Sequence, residues 1–304
     1  MSLTVFTHAG CALHRPPDGH PERPQRLEAA LRGIEQIDDH RRLDATPIDR
    51  AQLLLAHGPN YLANLANLDA SGSTMALDAD THLGPRSLEA AALAAGAACQ
   101  AVDRVVKHPG ERAFAVVRPP GHHAESARAM GFCLYNNIAV AALHAISTHG
   151  MQRVAVCDFD VHHGNGTEAI LAGNEKCLFF SSHQSPLYPG TGNPAAPHAS
   201  NVHNATLPAG SGSNEFRDLW LEHLLPEVER FRPQLILVSA GFDGHWRDPL
   251  AQLQLKDEDY YWIGEQLKAL AIQHADGRLI ASLEGGYDLK ALEESVLAFG
   301  EGIE

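Results

Sequence analysis

Residues 153–166 restrict the fold more than any other stretch of the chain. Arg153-Val154-Ala155-Val156-Cys157 is a short, mostly apolar run that reads as a buried strand. It runs straight into Asp158-Phe159-Asp160-Val161-His162-His163-Gly164-Asn165-Gly166. Side chains two apart on a strand share a face, so Asp158, Asp160 and His162 point the same way. Acidic residues rarely finish a buried strand without a partner. Two carboxylates and an imidazole converging at a strand end can hold a divalent metal such as zinc, with one position left for water. Glycines at 164 and 166 let the chain turn sharply after the strand.

The same arrangement recurs three more times. Ala113–Val117 runs into Arg118-Pro119-Pro120-Gly121-His122-His123, and Leu235–Ser239 into Ala240-Gly241-Phe242-Asp243. Arg278–Ser282 runs into Leu283-Glu284-Gly285-Gly286-Tyr287. One such junction is an ordinary loop; four in one chain point to a shared site. Helical periodicity fills the intervals. Helices are expected at Arg26–Ile37, Arg50–His57, Pro59–Leu68, Arg86–Lys107, Leu134–His149, Thr167–Ala172, Asn214–Arg230, Asp257–His274 and Leu289–Phe299. Further strands are expected at Leu3–Thr7, Cys177–Ser181 and Val202–Leu207, and loops at 10–24, 68–85 and 184–199. Alternation of this kind predicts an α/β fold, a mainly parallel central sheet with helices on both faces. No repeat or linker interrupts it, so residues 1–304 read as a single catalytic domain.

Composition narrows the function. A net charge of −14 argues against a nucleic-acid binder, which needs a basic face, and suits a cationic substrate as well as plain solubility. No apolar run reaches the roughly 20 residues of a membrane span. Met1-Ser2-Leu3-Thr4-Val5 lacks the charged start and apolar core of a signal peptide. Five cysteines without CxxC spacing read as reduced thiols of a cytoplasmic protein. Of 19 histidines, only those with partners at site-like spacing bear on function.

In open α/β sheets ligands sit beyond the carboxyl ends of the strands. Asp160, His162 and Asp243 can supply three metal ligands there. A bound metal lowers the pKa of water toward ~7 and polarises a carbonyl. His122 and His123 are the candidate bases, with Asp158 and Asn165 as their orienting partners. Tyr287 could donate its phenol proton to a developing oxyanion. Together these groups spell metal-assisted hydrolysis of an unactivated carbonyl, most simply an amide. A cysteine nucleophile, Cys133 or Cys157, is the alternative mechanism.

These motifs resemble the zinc-dependent histone deacetylase family, which includes bacterial deacetylase-like amidohydrolases and acetylpolyamine amidohydrolases. The matching segments are His20-Pro21-Glu22-Arg23-Pro24-Gln25-Arg26-Leu27, Arg118–Ala124, Gly131-Phe132-Cys133-Leu134-Tyr135-Asn136-Asn137, Asp158–Gly166, Pro189-Gly190-Thr191-Gly192, Ser239–Asp243 and Leu283–Tyr287. The resemblance implies the arginase/deacetylase fold and a catalytic Zn2+ on Asp160, His162 and Asp243, although Fe2+ suits the same donors. It implies His123 as general base, His122 as the second histidine with Asp158 as its partner, a structural K+ held partly by Asp158, and Tyr287 as the group that polarises the carbonyl. Phe132 and Tyr188 would wall a tunnel for acyl-lysine. The Gly131 carbonyl would accept the substrate N–H, Asp80 would grip substrate backbone, and Arg26 would line a channel behind the metal.

Some positions depart from the commonest pattern. Asn165 stands where one branch of the family has Asp, which points to a class II-like branch. Tyr188 replaces the usual phenylalanine and makes the rim more polar. Gly244-His245-Trp246-Arg247 is bulkier than usual and is expected at the site mouth. Leu250 matches the general lysine deacetylases, where a polyamine-specific relative has Glu. The expected partner is therefore an acyl-lysine protein or peptide, with a small cationic amide such as an acetylpolyamine as the alternative; a homo-oligomer is compatible with either. A binuclear ureohydrolase would need ligands at Phe159, Val161 and Asn165, which are poor or absent ones. A non-catalytic reader of acyl-lysine would have lost Tyr287 or a metal ligand.

Overall fold

The computed structural model describes residues 3–304. Met1 and Ser2, part of the run read against a signal peptide, lie outside them. The strands are β1 (Leu3–Thr7), β2 (His40–Asp44), β3 (Met75–Ala76), β4 (His82–Leu83), β5 (Arg112–Ala115), β6 (Val154–Asp158), β7 (Cys177–Gln184), β8 (Val202–Leu207), β9 (Leu235–Ala240) and β10 (Leu279–Leu283). The helices are α1 (Gln25–Ile34), α2 (Arg50–Leu53), α3 (Pro59–Asp69), α4 (Ser87–Lys107), α5 (Asn137–His149), α6 (Asn165–Leu171), α7 (Ser213–Leu219), α8 (Leu225–Phe231), α9 (Asp257–His274) and α10 (Leu289–Ile303).

Eight strands form one sheet in the order β2-β1-β5-β10-β9-β6-β7-β8, and the pairings are parallel. Parallel strands covered on both faces need apolar side chains on both, which is why β6, β9 and β10 read as unbroken buried runs. Helices α4 and α5 pack on each other and on this sheet, and α1, α9 and α10 form the other packed layer. The alanines of α4 (Ala90, Ala94, Ala97, Ala98, Ala101) are fully buried, so the helix lies close against the strands. The expected α/β architecture therefore holds.

The sheet order explains the recurring junctions. The strands that end in polar groups, β5, β10, β9 and β6, are four consecutive neighbours. Being parallel, they deliver their carboxyl ends to one edge, and Asp158 pairs in register with Ser239 across β6 and β9.

Differences from the expected elements have local causes. Strand β2, His40-Arg41-Arg42-Leu43-Asp44, was not expected: it is polar and half-exposed because it forms the sheet edge, where charge discourages further pairing. The expected helix Asn214–Arg230 is α7 and α8 joined by a π-turn at Trp220–Leu224. Pro226 has no N–H to give the preceding turn, and a wider turn accommodates it. Gly212 occupies the N-cap position of α7, its N–H donating to Glu215 at 2.9 Å, and Ser213 Oγ donates to Asp259 at 2.7 Å. Helix α5 begins at Asn137, not Leu134, because Asn136 Oδ1 accepts the Ala139 N–H at 2.9 Å and caps it. The loop at 68–85 contains the short antiparallel pair β3–β4. Among the described residues no helix is long and apolar enough to cross a membrane.

Candidate active site

Beyond β6 the chain folds back on its own carboxylates. Asp160 Oδ1 accepts the His162 backbone N–H at 2.9 Å, and its Oδ2 accepts the Gly285 N–H at 2.8 Å from the end of β10. Asp243, after β9, accepts the Val161 N–H at 3.0 Å. These backbone donors fix both carboxylates without using a side chain from solvent. His162 Nδ1 then lies 3.1 Å from Asp160 Oδ1 and 3.1 Å from Asp243 Oδ2. All three groups are buried, and their ligand atoms lie within 4.8 Å of one another. The glycines behind them are there for room: a Cβ on Gly241 would overlap the Asp160 carboxylate, and one on Gly285 the Asp243 carboxylate.

The donor set fits a divalent cation. Burial and the Asp160 charge both push Asp243 above the usual carboxylate range, a strain that a cation between the two would relieve. Burial disfavours charge on His162, but hydrogen bonds to Asp160 and Asp243 outweigh it and hold its pKa at about 10. Two oxygens and one nitrogen is a set that zinc and ferrous iron both accept.

The two candidate bases are sorted by their partners. His122 Nδ1 lies 3.0 Å from Asp158 Oδ2, and its Nε2 3.8 Å from Asp160 Oδ1. Burial opposes a charge there, yet Asp160 and Asp158 together hold its pKa at about 10. His123 Nδ1 lies 2.8 Å from Asn165 Oδ1. Asn165 Nδ2 donates to Glu125 Oε1 at 3.0 Å, so its oxygen is the end that faces His123. His123 must therefore donate from Nδ1, which leaves Nε2 with a free lone pair. Burial, followed by the charges of His122 and His162, pushes His123 well below the usual histidine range. Neighbouring groups with opposite shifts are the usual mark of divided acid and base roles.

Tyr287 is 8% exposed, with the Arg26 guanidinium 4.7 Å from its ring centroid. Burial raises its phenol well above the ordinary value, although Arg26 pulls the other way, so the group stays protonated. Arg26 is itself fixed by the carbonyls of Gly286 at 2.6 Å and Glu284 at 2.5 Å and by Glu22 at 3.1 Å.

A cavity of about 220 Å³ leads down to these groups. Asp80, Gly131, Phe132, Tyr188, Leu250 and Tyr287 line it, with His123 and His162 at the lining too. Such a volume lies below the roughly 300–1,000 Å³ of sites for drug-sized molecules and suits a slim chain. Phe132 stands edge-on to Tyr287 (ring centroids 5.8 Å apart), and Tyr188 edge-on to His123 (5.2 Å). Gly131 and Phe132 both have positive φ, at 55° and 68°, a turn that Thr81 Oγ1 supports by accepting the Phe132 N–H at 3.1 Å. The sequence-predicted site residues thus come together in one place. None of residues 244–247, whose effect on the mouth the sequence left open, lines this cavity. His245 turns inward toward Asp257, and Arg247 pairs with Glu294 on α10.

Several contributors were not singled out from sequence. Glu284 Oε2 accepts the Gly121 and His122 N–H groups at 2.6 and 3.1 Å and so holds the histidine loop. Glu22 binds Arg118 through both oxygens at 2.6 Å each, out of contact with water. Leu187 completes the cavity wall. Both acids lie inside motifs already quoted, and their chemistry was the available signal.

Comparison with known proteins shows what the chain is similar to. The family model "Histone deacetylase domain" matches residues 20–303. The chain is 35% identical over 330 aligned residues to Type-2 histone deacetylase 2 of Dictyostelium discoideum, covering 93% of this chain and 19% of that protein. It is 37% identical over 300 residues to Polyamine deacetylase HDAC10 of Homo sapiens, covering 92% of this chain and 44% of that one. The chain therefore spans less than half the length of either relative. Among solved structures, the HDA15 HD domain superposes with a TM-score of 0.90 at 30% identity, over 98% of this chain and 88% of that domain.

Proposed function

Because the chain belongs to the histone deacetylase family, we propose that it is a metal-dependent amidohydrolase that removes acetyl or other acyl groups from lysine side-chain amides. One observation carries the reading: the Asp160–His162–Asp243 cluster, His123 and Tyr287 converge on one narrow, aromatic-walled cavity. Asp160, His162 and Asp243 would hold the ion, Zn2+ or Fe2+. When bound, that ion supplies a water acidic enough to ionise near neutral pH and a Lewis acid for the carbonyl.

The chain's own groups do the rest. Phe132 and Tyr188 admit an extended acyl-lysine arm and exclude bulk water from it. The Gly131 carbonyl accepts the amide N–H, and Asp80 at the rim takes substrate backbone. His123 Nε2 removes the proton from the attacking water and returns it to the leaving lysine nitrogen. His122, charged beside Asp158, stabilises the negative charge that develops. Tyr287 donates its phenol hydrogen bond to the oxyanion. Asp158 already holds His122 and the Asp160 N–H, the latter at 3.1 Å, so a structural K+ there would add to those bonds.

Two coarser points belong to the same reading. The sheet draws strands from residue 3 to residue 283, which supports residues 1–304 as one catalytic domain. The cysteines are all buried and unpaired, which supports a reducing, cytoplasmic setting.

The second reading is a small cationic amide as substrate. The rim acids Asp78 and Asp80 and the charge of −14 favour it, while Leu250 in the wall supplies no carboxylate for a second amine. Metal-loaded protein assayed on acetyl-lysine peptides, longer acyl-lysines and acetylpolyamines separates the two. Turnover of peptides above polyamines is expected, lost in Tyr287→Phe with metal content kept, and lost in Asp160→Ala together with the one equivalent of metal held by the Asp160–His162–Asp243 cluster. No turnover of any acyl amine by the loaded protein would overturn the proposal, as would full zinc content in Asp160→Ala.

A further inference from the structure

Another cluster of metal-ligating groups lies away from the cavity. Asp103 is near the end of α4, and His144 and His149 are on the last turns of α5. Asp103 Oδ1 lies 2.9 Å from His144 Nε2 and 2.7 Å from His149 Nε2. The two imidazoles meet at 90° with ring centroids 5.5 Å apart, so both edges address the same oxygen. The three donor atoms fall within 4.8 Å of one another. None of these residues touches the cavity or the Asp160–His162–Asp243 cluster.

We propose that Asp103, His144 and His149 form a second divalent-cation site, of zinc type, that clips α4 to α5. Two neutral imidazoles and a carboxylate are a borderline-soft set that zinc and its neighbours prefer over magnesium or calcium. His144 Nδ1 lies 3.2 Å from Thr148 Oγ1 and 3.3 Å from Gln52 Nε2, whose amide donates to it, so in the hydrogen-bonded state the ring proton is on Nε2 facing Asp103; a metal would displace it to Nδ1, where Thr148 Oγ1 can accept it. Both helices end at this point, and their carbonyl ends carry a partial negative charge that favours a cation. Asp103 is about a third exposed while His144 is 5% exposed, so the site opens to solvent on one side and completes its shell with water. The present spacings are those of hydrogen bonds. Tetrahedral zinc at roughly 2.0–2.2 Å from each donor asks them to part by about half an ångström.

The test is zinc stoichiometry. The full chain is stripped with a chelator, dialysed against zinc ion alone, and its metal counted by elemental analysis. About two zinc ions per chain are expected for the unmodified protein, and about one for His149→Ala, with its deacylase turnover and melting temperature without metal unchanged. Asp160→Ala should also retain about one, and Asp160→Ala with His149→Ala none. Asp103→Asn serves as a second probe of the helix site. The proposal is overturned if Asp160→Ala binds no zinc, if His149→Ala and Asp103→Asn still bind as much as the unmodified chain, or if the unmodified chain saturates at one ion. Because the Asp160→Ala background reads the helix site alone, this result stands apart from the fate of the cavity reading.

Discussion

Asp248 accepts the backbone N–H of Tyr287 at 2.7 Å through one carboxylate oxygen and the N–H of Leu250 at 3.0 Å through the other. One buried acid thus fixes the tyrosine that would face the carbonyl and the leucine in the substrate wall. Burial, with Asp243 nearby, pushes its carboxyl up to about 7. Its removal strands two backbone donors, each a loss of about 1–3 kcal/mol where no water replaces the partner. Asp248→Ala is expected to lower kcat about 10–100-fold with metal content intact, since small misplacements of reacting groups cost that much. Asp248→Asn, which keeps one acceptor, should lose less. Equal turnover in all three proteins would remove Asp248 from the positioning of Tyr287.

Gly285 allows the two carboxylates proposed as metal ligands, Asp160 and Asp243, to share one backbone. Its N–H binds Asp160 Oδ2 at 2.8 Å, and the space where a Cβ would stand belongs to Asp243. Gly285→Ala should push Asp243 off the cluster and weaken zinc about 10–100-fold, as losses of ligand-orienting contacts do. Zinc titration followed by activity measurement checks this. Full zinc affinity in the alanine variant would mean that the carboxylates tolerate the methyl group.

The site was legible because its groups follow apolar runs that could only be central strands. Asp160, His162 and Asp243 could be picked out as strand-end residues, and the sheet then made β6 and β9 neighbours. Glu284 carried the same signal yet its role did not show, since its partners are the backbone N–H groups of Gly121 and His122 on another strand's loop. Backbone donors leave no trace in side-chain identity. Asp248 was hidden for the same reason. In the fold, β2 escaped notice because an exposed edge strand lacks the apolar alternation that marks half-buried ones. Where the bulk of 244–247 goes was not legible, because nothing local reveals that His245 turns inward and Arg247 reaches α10.

Cysteine chemistry is expected to be silent. Cys133 is fully buried, its Sγ donates to the Gly131 carbonyl at 3.2 Å, and burial with the nearby Glu284 holds its thiol well above the ordinary range. Cys157 is inside β6 and raised by burial in the same way. Thiolate is the reactive form, so neither group is poised to attack. Native protein treated with iodoacetamide should keep its turnover, and a zinc chelator should abolish it. Stoichiometric inactivation by the alkylating agent would revive a thiol nucleophile.

Two buried neutral imidazoles should lose their stabilising contribution as acid is added. His57 is buried as a neutral ring: Nδ1 donates to the Glu125 carbonyl at 3.1 Å and Nε2 accepts the Asn136 N–H at 2.9 Å. Burial lowers its pKa to about 4, and burial lowers His14 to about 4 as well. A folded pKa below the unfolded value of about 6.5 means that the unfolded chain binds more protons in between. The stabilisation is therefore complete above about pH 6.5 and disappears as pH falls toward 4, on the order of a few kcal/mol per ring. Glu22 adds a later step. Burial opposes its charge, but Arg118 prevails and lowers it to about 2, so its contribution is lost only between about pH 4.5 and 2. Asp248 and Glu284, both raised to about 7 chiefly by burial, drift the other way over the same range, so the histidine loss is read as a difference between proteins. In His57→Gln, whose side-chain oxygen can still accept the Asn136 N–H, the urea midpoint should gain relative to the unmodified chain as pH falls from about 7.5 to 4.5. The same pH dependence in both proteins would show that His57 takes up no proton on unfolding.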